Sequence, residues 1–188
     1  MQGPVSIDYH TFYEAQRFRQ IWVWILVGFI AILMWYSFFQ QIVLGEPFGN
    51  NPAPDLMLSI FLVIFGIGLP VWLLVMKLEI KVERGALFFR MFPVHPGWKS
   101  VPAREISSVM AVTYKPFREY GGWGIRFGKQ GIAYTVSGDR GVLIMLKNDT
   151  SFLLGSGRSE DLEMTLRLML DSENKEKKTG KGQDIAYL

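Results

Sequence analysis

Leu56–Phe92 reads LMLSIFLVIFGIGLPVWLLVMKLEIKVERGALFFRMF, and its pattern changes once, at Met76. Up to Met76 no charged side chain interrupts the apolar residues, and the run is long enough for a helix to cross a hydrocarbon core of roughly 30 Å. From Lys77 the period becomes two. Leu78, Ile80 and Val82 alternate with Glu79, Lys81 and Glu83, which marks a half-buried strand with Glu79 and Glu83 on its solvated face. Arg84-Gly85 breaks the alternation, and Ala86–Phe92 reads as the returning strand of a hairpin. One stretch therefore carries both halves of an α+β chain.

Ile21–Phe39, IWVWILVGFIAILMWYSFF, is a second apolar run without charge. Its eleven Ile, Leu, Val and Phe residues, and the fourteen in residues 56–76, are the insertion signal. At roughly −0.3 to −0.6 kcal/mol each they favour insertion by about −3 to −8 kcal/mol per segment. Two core helices of a soluble protein would keep a polar stripe. A cleaved signal peptide has a shorter apolar stretch and a small-residue cleavage site, which Gln40–Glu46 does not offer. The expectation is a retained transmembrane hairpin over residues 21–76, with helices at 21–39 and 56–76. Arg17 and Arg19 precede it, Lys77, Lys81, Arg84 and Arg90 follow it, and the connection 40–55 holds no Lys or Arg. The positive-inside bias then makes this a multi-pass protein of the cell membrane with both termini cytoplasmic. Trp22, Trp24, Trp35, Tyr36 and Trp72 lie near the run ends, where amphipathic rings favour the interface.

Composition narrows the chemistry. The 188 residues include no cysteine and only two histidines, His10 and His95, so thiolate chemistry and Cys-ligated metals are excluded. No metal and no cofactor is expected. Residues 77–170 carry fourteen Lys/Arg against nine Asp/Glu, a mildly basic balance that suits an anionic leaflet. It is too dispersed for nucleic acid, which is not an expected partner. No ionisable residue lies inside either apolar run to mark a transport pathway.

Residues 1–20 read as a cytoplasmic N-terminal segment. After the first strand hairpin, Pro93–Pro102 carries three prolines and reads as an irregular connection. Ile106–Tyr114 alternates, with Ile106, Ser108, Met110, Val112 and Tyr114 on one face. Lys115–Gly122 is loop-like, Trp123–Phe127 and Ile132–Val136 are short strands, and Ser137–Gly141 is a turn. Val142–Leu146 and Ser151–Leu154 pair across Asn148-Asp149. Ser159 can cap a helix whose apolar stripe is Leu162, Leu166, Met169 and Leu170. Residues 171–188 hold almost nothing to bury and read as a disordered tail. About seven antiparallel strands followed by one helix is the element order of a PH-like (pleckstrin-homology-like) barrel over residues 77–170.

Tyr114–Arg126 (YKPFREYGGWGIR), followed by Ala133–Gly138 (AYTVSG) and Gly141-Val142, resembles uncharacterised prokaryotic membrane proteins that carry a bacterial PH-like domain. The resemblance covers about residues 78–170 and implies a fold and a membrane location, with no established reaction. Within it, Arg118, Tyr120, Gly121, Gly122, Trp123, Gly124 and Arg126 form a candidate recognition loop. Three glycines in four residues open backbone conformations closed to other residues, and Trp123 and the arginines supply stacking and charge. The competing role for the same segment is a bend at a barrel corner with Trp123 plugging the core. Gly121–Gly131 does not fit a phosphate cradle, because strands rather than a helix follow it. Specific phosphoinositide binding is not expected, since the first strand-to-strand loop is only Arg84-Gly85.

No catalytic residue is identified: Ser107, Ser108 and Ser137 have no histidine nearby in sequence. The reading is a membrane-anchored, non-catalytic PH-like module that binds a protein or peptide at the cytoplasmic membrane face. Its expected partners are the lipid bilayer and another protein, which in one version is itself integral to the membrane. An accessory subunit of a larger membrane complex is the first alternative, and an enzyme without a recognisable motif is the second.

Overall fold

The computed structural model describes residues 11–128 and 130–183. They fall into two compact units, one spanning Arg17–Met76 and one joining the chain up to Gln16 with the chain from Lys77 onward. The first unit contains two helices, α1 (Ile21–Val43) and α2 (Asp55–Val75), both long and apolar enough to cross a membrane. Most of their large side chains stay exposed, among them Ile25, Phe29, Ile32, Val63 and Leu74, while Val27, Leu58, Leu62 and Leu73 are buried. Gly66 is where α2 faces α1: a Cβ built there would stand 3.5 Å from that of Met34. Between Leu62 and Gly68 the helix widens to π spacing, and the Leu69 amide donates to the Ile64 carbonyl. Pro70 is the cause, because it has no N–H for the Gly66 carbonyl and its ring crowds that group. In the last turn of α1, Gln41 Nε2 donates to the Ala53 carbonyl and Asp55 Oδ1, both at 2.7 Å, closing the connection.

The second unit is α+β. Its strands are β1 (Phe12–Arg17), β2 (Lys77–Glu83), β3 (Ala86–Phe92), β4 (His95–Pro102), β5 (Ile106–Thr113), β6 (Gly124–Gly128), β7 (Gly131–Thr135), β8 (Arg140–Leu146) and β9 (Ser151–Gly155). A short helix, α3 (Pro116–Tyr120), precedes β6, and α4 (Ser159–Gln183) ends the described chain. The strands form two sheets, ordered β1-β2-β3-β4 and β5-β8-β9-β7-β6. Neither sheet closes on itself, so the expected barrel is replaced by two open sheets. All resolved pairings are antiparallel except β7 with β9, where Ile132, Ala133 and Tyr134 register with Phe152, Leu153 and Leu154.

The hairpin after Met76 forms as its period requires. Leu78, Ile80 and Val82 are buried opposite Met91, Phe89 and Leu87, and Arg84-Gly85 turns with both residues at positive φ. Burying each such side chain is worth about 1.5–3 kcal/mol. Phe89 then stacks on Phe152 at 5.3 Å and meets Tyr134 edge-on at 4.9 Å, which joins the two sheets. Leu162, Leu166 and Met169 of α4 are buried as their spacing predicts.

Other expectations change as well, and the loop-like stretch Lys115–Gly122 holds helix α3. Pro93–Pro102 is largely strand β4, since a proline on an edge strand removes no ladder bond. A register shift between Ile106 and Ser108 breaks the alternation of β5, so Ile106 and Val109 are buried while Met110 is exposed. The helix after Ser159 does not stop at Leu170 but runs to Gln183. Once a buried stripe has nucleated it, each further turn adds hydrogen bonds at little cost; residues 184–188 of the expected disordered tail lie outside the described residues. Ser159 is not the cap: the carbonyl of Arg158 accepts from the Leu162 amide, and Ser156 Oγ accepts from the Arg158 amide.

A further change concerns the N-terminal segment. It contributes β1, which neighbours β2, so the helical hairpin is an insertion between adjacent strands. β1 also reaches the β9–α4 junction. Glu14 accepts from Ser156 Oγ at 2.5 Å and from the Gly157 amide at 3.0 Å, Gln16 Nε2 donates to the Gly155 carbonyl at 2.7 Å, and the Arg158 guanidinium lies 4.9 Å from the Phe12 ring centre. On β2, Glu79 is 4% exposed rather than solvated. It accepts from Tyr13 at 3.0 Å and pairs with Arg90 at 2.6 Å and Lys77 at 3.2 Å. Burial alone would raise its pKa, but hydrogen bonds from Arg90, Tyr13 and Lys77 outweigh that and hold it below 4.5.

Glu79→Ala removes the acceptor shared by Tyr13, Arg90 and Lys77 and should lower stability by about 1–3 kcal/mol in thermal or urea unfolding of the full-length protein. Because the folded pKa is depressed, the stabilisation by Glu79 is complete above the ordinary glutamate range and lost as pH falls through the folded value. Stability measured from pH 7 down to pH 3 should therefore fall more steeply in the wild type than in Glu79→Gln. Glu14→Ala should cost about 1–2 kcal/mol by freeing Ser156 and the Gly157 amide.

Candidate functional site

The segment from Lys115 to Gly128 is built around a buried tyrosine. Pro116 opens α3 with its φ already set, and Gly121 ends the helix at φ 71, the left-handed conformation that suits glycine at this position. The amides of Gly121 and Gly122 donate to the carbonyls of Phe117 and Pro116 at 3.1 and 2.9 Å. This cap turns Tyr120 inward, edge-on to Tyr114 at 5.8 Å, over Ala133, Leu143 and Leu153. The ring lies so close to β6 that a Cβ on Gly128 would overlap it. Burial, and secondarily the charge of Glu119, pushes the Tyr120 phenol above its ordinary pKa, and burial drives Tyr114 up to about 12. Both are neutral hydroxyls at physiological pH.

Trp123 is half-buried rather than a core plug. Its Nε1 donates to the Gly138 carbonyl at 2.8 Å, and its ring meets Phe117 edge-on at 5.0 Å. Gly122 and Gly124 adopt φ 121 and 115, which a residue with a side chain would find strained. Arg126 folds its Nε back to the Trp123 carbonyl at 3.2 Å, while Arg118 stands exposed on α3. No carboxylate among the described residues pairs with either arginine. Phe117 and Phe127 are 60% and 81% exposed beside them.

The sequence-derived residues thus divide by role. Tyr120, Gly121, Gly122, Gly124 and the indole of Trp123 build the turn, and Arg118 and Arg126 are what it presents. Phe117, whose ring meets Trp123, and Phe127, the neighbour of Arg126 on β6, are exposed as well and were not singled out from sequence. The only available signal was their place in an arginine-bearing segment, because an aromatic at strand spacing ordinarily reads as core. His95, Lys99 and Tyr134 were likewise missed as a group, since β4 and β7 are brought together only by the packing of the two sheets. Lys99 Nζ donates to Tyr134 Oη at 2.8 Å, and the His95 ring centre lies 6.3 Å from that of Tyr134.

Gly128→Ala should destabilise by about 1–3 kcal/mol, as overpacking against Tyr120 requires. Arg118→Ala and Arg126→Ala should stay within about 0.5 kcal/mol of the wild type in the same melting assay, as exposed side chains without ion pairs do. An arginine variant that melted like Gly128→Ala would assign that arginine to the framework.

Comparison with known proteins adds one match. Residues 8–129, more than half of the chain, match a family described as a family of unknown function (DUF6141). The matched stretch runs from β1 through both helices to the end of β6 and includes the whole candidate loop. No curated protein matches.

Proposed function

The chain belongs to the DUF6141 family of unknown function, and we propose that it acts as a membrane-anchored, non-catalytic module holding a protein or peptide partner at the cytoplasmic membrane face. The observation that carries this reading is the exposure of Phe117, Arg118, Arg126 and Phe127 along the α3–β6 segment. Two cations without carboxylate partners among the described residues and two exposed aromatic rings flank a turn fixed by glycine geometry and a buried tyrosine. Arginine and aromatic side chains are enriched where protein interfaces concentrate their energy, and a preformed turn loses little conformational entropy on binding.

The anchor rests on α1 and α2. Their apolar side chains are mostly exposed, which lipid tolerates and water does not. Arg17, Arg19, Lys77, Lys81 and Arg84 flank the pair, and residues 40–54 lack Lys and Arg, which supports a cytoplasmic sheet unit. The PH-like assignment of that unit rests on the sequence resemblance and on a strand-rich unit ending in an amphipathic helix. A second reading, an accessory subunit packed on other transmembrane helices, is supported by Gly28 of α1, where an added Cβ would meet no other element among the described residues within 4 Å.

A photoreactive amino acid placed at Phe127 in the full-length protein in cells tests the main reading. It should give a discrete protein adduct, and Arg118→Ala with Arg126→Ala should reduce that adduct about tenfold. Adducts to lipid alone would overturn it. Adducts only from position 28 would favour the subunit reading. A cytoplasm-dependent reporter enzyme fused after Leu188 should be active, and activity only in an externally working reporter would reverse the orientation.

A further inference from the structure

A groove of about 590 Å³ lies between the two sheets, lined by Phe89 of β3, Ile132 and Tyr134 of β7 and Phe152 of β9, together with Thr150 and Ser151. That volume falls within the usual range for sites that hold small molecules. Lys99 of β4 stands over the rings that line it, with Nζ 4.9 Å from the ring centre of Tyr134 and 6.0 Å from that of Phe89. Its hydrogen bond to Tyr134 Oη leaves two N–H donors, and no carboxylate among the described residues pairs with it. His95, from the same strand, holds its Nδ1 buried without a hydrogen-bond partner among the described residues. A buried polar atom left open in this way costs free energy unless a ligand or water completes it. The groove's own carboxylate, Asp149, lies at the other end. It is three residues before Phe152, which registers with Ile132, whereas Tyr134 is two residues beyond.

We propose that this groove binds a single-chain anionic amphiphile, with its acyl chain against Phe89, Ile132 and Phe152 and its acidic head on Lys99, Tyr134 and His95. The side chains of Phe89, Ile132 and Phe152 suit a hydrocarbon chain, and a lone ammonium beside a hydroxyl suits a carboxylate or phosphate head. Asp149 repels a head group from the opposite end and so sets the direction of the chain. A peptide adding to the β4 edge is the less suitable occupant, because Pro96 and Pro102 remove donors from that strand. The site is separate from the Arg118–Arg126 segment and does not depend on its role.

The full-length protein in phosphatidylcholine nanodiscs, labelled with a photoactivatable diazirine palmitate, tests this. Label should fall on peptides containing Ile132–Tyr134 or Phe152. Lys99→Met should weaken labelling about tenfold, the loss of a charge-assisted bond, while Lys99→Arg keeps most of it. The palmitate methyl ester should label weakly, and equally in the wild type and Lys99→Met. Competition by oleate assigns a carboxylate head and competition by lysophosphatidate a phosphate head, and either supports the site. Ile132→Trp should block acid and ester alike by filling the groove. Equal labelling of wild type and Lys99→Met, label placed elsewhere, or no competition by either amphiphile would overturn the proposal.

Discussion

The carboxylate of Glu79 is the constraint around which the sheet unit is organised. It sits on β2 with a donor from β1, its own neighbour Lys77, and Arg90 from β3, so one buried charge joins three strands. A carboxylate in that position is tolerable only with its donors in place, and each donor therefore specifies a strand. Tyr13 adds a side-chain hydrogen bond to the backbone pairing of β1 with β2. The same strand then binds the β9–α4 junction through Glu14 and Gln16, which connects the first sheet to the second. A short strand from before the helical hairpin thus ties together parts of the chain that are far apart in sequence.

The helical hairpin is an insertion between two neighbouring strands, so both of its ends belong to one sheet. An insertion of this kind leaves the sheet unit incomplete without residues on both sides of it. That is why the contiguous segment 77–170 is not the whole unit. The family match, which begins at residue 8 and crosses the hairpin, has the same extent on that side.

Local pattern made much of the fold legible. The period-two run after Met76, the Arg84-Gly85 turn, the Asn148-Asp149 turn and the stripe on α4 all describe neighbours in sequence, and all form as read. The misreadings share a different cause. Glu79 reads as solvated because nothing nearby says that Tyr13 will cover it, and Pro93–Pro102 reads as a connection because its place at a sheet edge is a tertiary fact. The parallel pairing of β7 with β9 puts a third strand between two consecutive ones, which no short-range signal reports. In the candidate loop the glycine turn was legible, because φ preference is local. The exposure of Phe117 and Phe127 and the meeting of Lys99 with Tyr134 were not, because each depends on which sheet faces which.

The sequence by itself determined two helices long and apolar enough to cross a membrane, a strand-rich unit ending in an amphipathic helix, and a glycine turn bearing arginines. Composition and periodicity are properties of consecutive residues, so they survive without coordinates. Only the tertiary structure decided that the sheets stay open, that β1 completes the unit, that Glu79 is buried, and that Lys99 stands over an aromatic groove bonded to Tyr134. Those outcomes depend on contacts between residues tens of positions apart, whose free energy is realised only when the chain packs.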